Sequence, residues 1–386
     1  MSGRIDPAII FVSGFPRSGT TLLISLLDGH PSLIVCPLEI HFISDFYRIL
    51  GNRNDCVGND FLQYIFKASE FYTIGGFARV AGGAPYDLTS VDKRIFQSSL
   101  DVLKDREVSI TDALYYLMDA FSRAQYGNKV PFSKSHFVIK VNDVAKLDKY
   151  LEIFPESKII ICVRHPMPYF ESRLLYHYNA YQTNYPPHFS SIIHEDSLLH
   201  YETGLEQIQR NIDNNRCLIN KLENMHANPR EVMLKVAKFI GIQYDESLIF
   251  PTILNKPYEG NTVYKNKRST NISKYTYDRK SDPFQEYVVS NRINPEPLYP
   301  QIKGGIKPNV WSAAFYRLTK EEKIHFRLSS IFAPIGGGGR LERLLSHLPS
   351  ILRPLARLVI NPILWVYRLK ELPFGYIRYR KWLLKE

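Results

Sequence analysis

The feature that most constrains this chain is FVSGFPRSGTTLLISLL, residues 11–27. An apolar, β-branched run at 8–12 sits between Pro7 and Gly14 and reads as a buried strand. Beyond the loop, Leu22, Leu23, Leu26 and Leu27 recur at helical spacing, and Gly29-His30-Pro31 ends the segment. Strand, glycine loop and helix together make an anion cradle. The loop's N–H groups converge on the anion and the helix start adds a positive end. The common pattern is G-x-x-x-x-G-K-[ST]. Gly14, Gly19 and Thr21 keep that spacing, but Thr20 stands where the lysine is usual. A nucleoside triphosphatase uses that lysine, with magnesium, across the β- and γ-phosphates. Without it a single phosphate group is the better fit, and Arg17 inside the loop supplies positive charge.

The same unit recurs downstream. Lys158–Val163 reads as a second strand. Pro166 and Pro168 then mark a turn and a helix start, with Phe170, Leu174 and Tyr178 on one face. A third unit places a strand at 217–222, a turn at Asn228-Pro229 and a helix ending at Gly241. Alternating strands and helices predict an α/β fold, a P-loop-type parallel β-sheet flanked by helices. Residues 51–135 read as mixed with some helix, 179–200 as loop, and 255–310 as polar and Pro-containing. A capping box at 319–322 precedes a helix, and 336–339 is a glycine break. The expected organisation is one domain over 1–345 and a basic, amphipathic C-terminal helical tail over 346–386.

Charge sharpens this division. The net charge is +11, and residues 351–386 hold eight Lys/Arg against two Glu, so the body is only mildly basic. That disfavours nucleic acid as a partner. In the tail, basic residues interleave with Trp365, Tyr376, Tyr379 and Trp382. Such a segment suits an anionic membrane surface, or short helices packed on the body with basic side chains at the rim. With 386 residues, 45% of them apolar, the chain can bury a large core. Cys36, Cys56, Cys162 and Cys217 include no C-x-x-C pair, Cys162 reads as a buried thiol, and a reducing, cytoplasmic setting is expected. No window of 18 apolar residues predicts a membrane span, and no His/Cys/Asp group has metal-ligand spacing.

GFPRSGTTLL resembles the 5′-phosphosulfate loop of sulfotransferases that use 3′-phosphoadenosine 5′-phosphosulfate (PAPS). Its wording is closest to the tyrosylprotein, carbohydrate and bacterial branches. The resemblance implies that Gly14, Pro16, Arg17, Ser18, Gly19, Thr20 and Thr21 surround the phosphate bearing the sulfuryl group. VRHPMPYFESRLLYH resembles the family's 3′-phosphate element, which implies a phosphate contact for Arg164 and Ser172 around Pro166; His165 stands where the family often has Asp. LINKLENMHANPREVMLKVAKFIGI is similar to a family strand-turn-helix segment, here scaffold, with Asn220, Leu222 and Glu223 only approximating its wording.

Transfer to a hydroxyl needs a proton acceptor, donors for the sulfuryl oxygens and a positive group at the leaving oxygen. In HPSLIVCPLEIHF, Glu39 matches the general base of the tyrosylprotein branch, one residue further from His-Pro, and His41 is the second candidate. His30 reads as part of the helix-ending turn. Lys140 in FVIKVND resembles a family lysine upstream of the Phe-Pro and is a candidate to reach the sulfuryl group, the alternative being a solvated lysine. Arg268, in a basic loop lacking the family's Gly-Arg-Trp wording, is a further 3′-phosphate candidate. The resemblance thus implies metal-free sulfuryl transfer from PAPS to a hydroxyl, with a carbohydrate or glycolipid acceptor as the expected class. The rival readings are a P-loop kinase or nucleotide-binding enzyme, and a non-catalytic basic membrane-peripheral protein.

Overall fold

The computed structural model describes residues 8–44, 46, 55–67, 69–78, 86–127, 136–166, 168, 169, 172, 200–258, 298 and 299. The chain divides into two compact units. The first holds Met1–His165 and Thr203–Tyr277, the second Pro166–Glu202 and Asp278–Glu386.

A five-stranded sheet organises the first unit. Its strands are β1 (Ala8–Gly14), β2 (Leu33–Glu39), β3 (His136–Lys140), β4 (Lys158–Val163) and β5 (Cys217–Lys221). They lie in the order β2-β3-β1-β4-β5, every neighbouring pair parallel. A parallel sheet is covered on both faces, which explains strands read as near-continuous apolar runs. Ile10, Phe11 and Val12 of β1 are fully buried, as are Ile159–Ile161 and Cys162 of β4. Phe11 packs edge-on to Tyr150 and Phe154, with ring centroids 4.8 and 5.2 Å away.

The helices are α1 (Thr20–Asp28), α2 (Gly58–Lys67), α3 (Lys93–Leu100), α4 (Ile110–Tyr126), α5 (Leu147–Ile153), α6 (Leu222–Ala227) and α7 (Pro229–Ile240); residues 203–210 are also helical. Local chemistry sets their ends. The Asp92 carboxylate accepts from the Arg94 and Ile95 N–H groups and starts α3. Pro229 opens α7 and Gly241, at φ 87°, closes it in the left-handed conformation. Among the described residues the unit also holds three short antiparallel pairs: Asp55–Val57 with Glu107–Ser109, Phe77–Ala78 with Tyr86–Asp87, and Thr252–Ile253 with Lys256–Pro257.

One expected element differs. The third unit keeps its strand, its break at Asn228 and its helix ending at Gly241, but the chain leaves β5 directly into the short helix α6, which the sequence reading did not include. The reason is packing under the glycine loop. Leu222 and Met225 are buried, and a Cβ on Gly19 would lie 2.7 Å from Leu222 Cδ1 and 2.8 Å from Met225 Cε.

Register brings chemistry to one edge. Gly14 lies opposite Cys162, and Val12 opposite Lys140. A register shift between Cys36 and Glu39 sets Glu39 opposite Lys140 as well. Parallel strands end on the same side, so the loop after β1, Glu39, Lys140 and Arg164 all emerge at the carboxyl edge, where ligands bind in open α/β sheets.

In the second unit Pro166, Pro168, Tyr169 and Ser172 are helical, as the prolines predict, and the buried rings of Tyr169 and Tyr201 meet 4.9 Å apart. His200, placed at the end of an expected loop, is helical. Phe170, Leu174, Tyr178, the capping box, the glycine break, Arg268 and the tail 346–386 lie outside the described residues.

Candidate active site

The loop between β1 and α1 is shaped by positions where a side chain has no room. Gly14 has φ 151°, and a Cβ there would collide with the Cys162 carbonyl on β4. Half-buried Pro16 precedes Arg17, which adopts φ 68°, a left-handed conformation that costs a non-glycine residue energy. The Ser18 N–H closes the turn on the Phe15 carbonyl at 3.1 Å. Arg164 Nη1 donates to the Arg17 carbonyl at 3.1 Å, so the residue after β4 holds the middle of the loop. Gly19, at φ 90°, leads into α1, and no side chain among the described residues caps that helix. The Ser18 hydroxyl is buried with no hydrogen-bond partner among the described residues. A buried, unsatisfied hydroxyl beside an uncapped helix start fits an anion that would complete both.

Next to the loop stands a cluster of charges. Lys140 Nζ lies 2.5 Å from Glu39 Oε2 and donates to Thr21 Oγ1 at 3.2 Å, linking the ends of β2 and β3 to the first turn of α1. The Lys140 side chain is 9% exposed and that of Glu39 25%. Burial pushes the Glu39 carboxyl up, but the Lys140 charge and hydrogen bond, with His41 and Asn142, outweigh it and hold the group below its ordinary range. Glu39 is therefore a carboxylate at neutral pH. Its backbone N–H donates to Glu70 Oε2 at 2.8 Å, while burial pushes the Glu70 carboxyl up.

His41 follows at the edge of the cluster. Its Nε2 lies 3.6 Å from Glu39 Oε1 and its Nδ1 3.5 Å from Asp143 Oδ1. Asp143 is buried, and burial raises its carboxyl, yet His41 and Ser44 hold it below the ordinary value. On the far side Tyr86 stands beside Thr21 and Tyr258, and burial pushes its phenol up to about 12. The Tyr86 and Tyr258 rings meet edge-on at 5.7 Å.

The structure therefore brings together Gly14, Pro16, Arg17, Ser18, Gly19, Thr20, Thr21, Glu39, His41, Lys140 and Arg164 at one edge of the sheet. Ser172 belongs to the second unit, and Arg268 lies outside the described residues. His30 is structural as expected: its Nδ1 accepts from the Ser32 N–H and its Nε2 bonds to the Gln243 carbonyl at 2.9 Å. Sequence reasoning missed Asp143, Glu70, Tyr86 and Tyr258. It also treated Glu223 as scaffold, whereas Glu223 Oε1 accepts from the His165 N–H at 2.9 Å and fixes the backbone beside Arg164. Only Asp143, three residues after Lys140, carried a sequence signal, since it shares the strand exit FVIKVND.

A curated protein-tyrosine sulfotransferase of Drosophila melanogaster is 22% identical over 268 residues, which covers 68% of this chain and 44% of that protein. The chain thus spans less than half the length of that relative. Among solved structures, the sulfotransferase domain of the Synechococcus PCC 7002 olefin synthase aligns over 84% of this chain and 97% of its own, at 18% identity and TM-score 0.42. A Mycobacterium avium sulfotransferase, STF9, aligns over 80% and 79%, at 14% identity and TM-score 0.38. The profile described as Sulfotransferase family matches residues 7–246, well over half of the sequence and all five strands of the sheet, and the chain belongs to that family.

Proposed function

We propose that this protein transfers a sulfuryl group from PAPS to an acceptor hydroxyl, and that the acceptor is a carbohydrate or glycolipid. One observation carries the reading: Lys140 touches both Thr21 of the phosphate loop and the Glu39 carboxylate. A cation, an anion cradle and a proton acceptor thus share one edge of the sheet. PAPS, when bound, supplies a sulfuryl group on a phosphate leaving group. Gly14, Pro16, Arg17, Ser18, Gly19, Thr20 and Thr21 would hold the 5′-phosphosulfate. Arg164 would hold the 3′-phosphate through charge-assisted bonds, with Ser172 and Arg268 assigned from their place in the motifs. Glu39 takes the acceptor proton, and Lys140 and Arg17 offset charge on the transferring and leaving oxygens.

A kinase reading is weaker because Thr20 fills the place of the loop lysine. The carbohydrate preference rests on the aromatic-rich intervening segments, since sugar faces stack on aromatic rings. The tail 346–386 supports contact with an anionic membrane surface by a cytoplasmic, membrane-peripheral enzyme.

Calorimetry without magnesium tests the donor. Adenosine 3′,5′-bisphosphate should bind more tightly than AMP by about 1.5–3 kcal/mol, the worth of one charge-assisted contact set, and more tightly than ATP. Arg164→Ala should erase most of the difference. Equal affinity for the bisphosphate and AMP would sink the reading. A panel of glycosides, glycolipids and a tyrosine peptide with labelled PAPS identifies the acceptor class.

A further inference from the structure

Glu39 divides its two oxygens. Oε2 is held by Lys140, whereas Oε1 faces His41 Nε2 at 3.6 Å. The other ring nitrogen, Nδ1, faces Asp143 Oδ1 at 3.5 Å. Asp143 is itself fixed from two sides: Ser44 Oγ donates to Oδ1 at 2.9 Å and Tyr150 Oη to Oδ2 at 3.3 Å. Tyr150 is fully buried and its phenol is pushed well up by burial, so it stays a neutral donor. The imidazole thus lies between a proton-accepting carboxylate and an anchored one. Its side chain is 49% exposed, while the carboxylates on either side are 25% and 9% exposed. Among the described residues, the charged groups facing this cluster include Glu39 on β2, Asp143 after β3, Lys140 at the end of β3, and Glu70, whose carboxylate accepts the Glu39 N–H.

We propose that His41 and Asp143 form a proton exit for Glu39, with His41 as the relay and Asp143 as its positioning residue. The inference rests on Glu39 as the base in the reading above. A hydroxyl acceptor gives its proton to Glu39 as its oxygen–sulfur bond forms and the sulfur–oxygen bond to the phosphate breaks. Left there, the proton neutralises Glu39, weakens its pairing with Lys140 and leaves the base spent. Passed from Oε1 to neutral His41 Nε2, it makes an imidazolium whose Nδ1 proton faces Asp143. The half-exposed ring then releases a proton to water. The cycle returns Glu39 to its carboxylate, and no oxidant or further reactant is involved. A 3.6 Å separation is longer than a hydrogen bond, so a small rotation of the ring or an intervening water closes the link.

The test compares acceptors that do and do not carry the proton. Octyl glucoside must lose one, whereas 4-nitrophenol is already a phenolate in mildly alkaline buffer. With the full chain and labelled PAPS, His41→Gln should slow transfer to the glucoside at least tenfold more than transfer to the phenolate. Added imidazole should restore part of the loss. Asp143→Asn should show the same bias, more weakly. Equal losses on both acceptors, or no loss, would overturn the relay. NMR titration of the His41 ring gives a readout independent of activity. Its midpoint should fall in Glu39→Gln and in Asp143→Asn, because each removes a carboxylate that favours the imidazolium. An unchanged midpoint in both overturns the relay even if neither probe is accepted. Failure of wild type to bind adenosine 3′,5′-bisphosphate is a different result, which overturns the function reading itself.

Discussion

The phosphate loop and the Glu39–Lys140 cluster stand side by side but are held by different forces. Sterics and backbone geometry hold the loop: Gly14 against β4, Gly19 against α6, and Arg17 in a left-handed conformation beneath Arg164. Charge holds the cluster: Lys140 between Glu39 and Thr21, and His41 between Glu39 and Asp143. The difference teaches that two neighbouring parts of one sheet edge can be fixed by different means, one by sterics and the other by charge. A cradle for a fixed anion needs its donors in place beforehand. A base must change protonation state, so its surroundings have to respond to charge.

The comparison breaks most sharply at Gly14. Gly14→Ala places a methyl group against the Cys162 carbonyl in a backbone conformation that alanine avoids. The expected loss is about 4 kcal/mol or more, the scale of severe overpacking plus backbone strain. Chemical denaturation should show the loss at every pH, because no charge is involved. Near-wild-type stability would show that the loop relaxes more easily than its packing implies.

Lys140→Met should act oppositely with respect to pH. It leaves Glu39 without its main counter-charge, at a cost of about 3 kcal/mol near neutrality. In the wild type the Glu39 carboxyl is held below its ordinary value of 4.5, so its contribution is present above that value and lost as pH falls through the depressed one. In Lys140→Met, burial dominates and the value rises, so acidification should regain stability. Adding Glu39→Gln should recover much of the loss at neutral pH. A variant whose stability has the wild-type pH profile would remove charge pairing as the force that holds this half.

Glu39→Gln keeps shape and removes basicity. Transfer to any accepted hydroxyl should fall by roughly a hundredfold, the usual scale for a general base, or about 2.7 kcal/mol. Binding of adenosine 3′,5′-bisphosphate should survive, because the loop half does not depend on Glu39. If binding fell in parallel with turnover, the two halves would not be separable. Transfer at the wild-type rate would show that the base is another group.

The smallest effect separates backbone from charge within the loop. Arg17→Gly relieves a left-handed conformation and removes a cation. Thermal unfolding should show a gain of about 1 kcal/mol or less, while turnover drops. A loss of stability would mean that the Arg17 side chain supports the fold.

The loop was legible because its chemistry is local. Gly14, Pro16, Arg17, Ser18, Gly19, Thr20 and Thr21 are consecutive or nearly so, and the spacing of two glycines fixes where the backbone bends. The strands around Phe11 and Ile160 were legible for a related reason, since a strand buried on both faces must be apolar throughout. Glu39 and Lys140 could be nominated one at a time, but nothing in the 100 intervening residues says that they touch. The short helix α6 was missed because its six residues carry too little periodicity to read, and the burial of Leu222 and Met225 beneath Gly19 is a tertiary contact.

The sequence by itself determined the glycine loop between strand and helix, the alternation of strand and helix, and the residue types able to move a proton. Only the tertiary structure decided their partnerships. Parallel pairing and the shift between Cys36 and Glu39 set Glu39 across from Lys140, and the exit of β3 brought Asp143 to His41. The turn after α2 put Glu70 beneath Glu39, and separate segments brought Tyr86 and Tyr258 together at Thr21. The physical reason is range. A turn or a helix start is governed by interactions within a few residues, whereas the charge state of a carboxylate depends on what is packed within a few ångströms, wherever it lies in the chain.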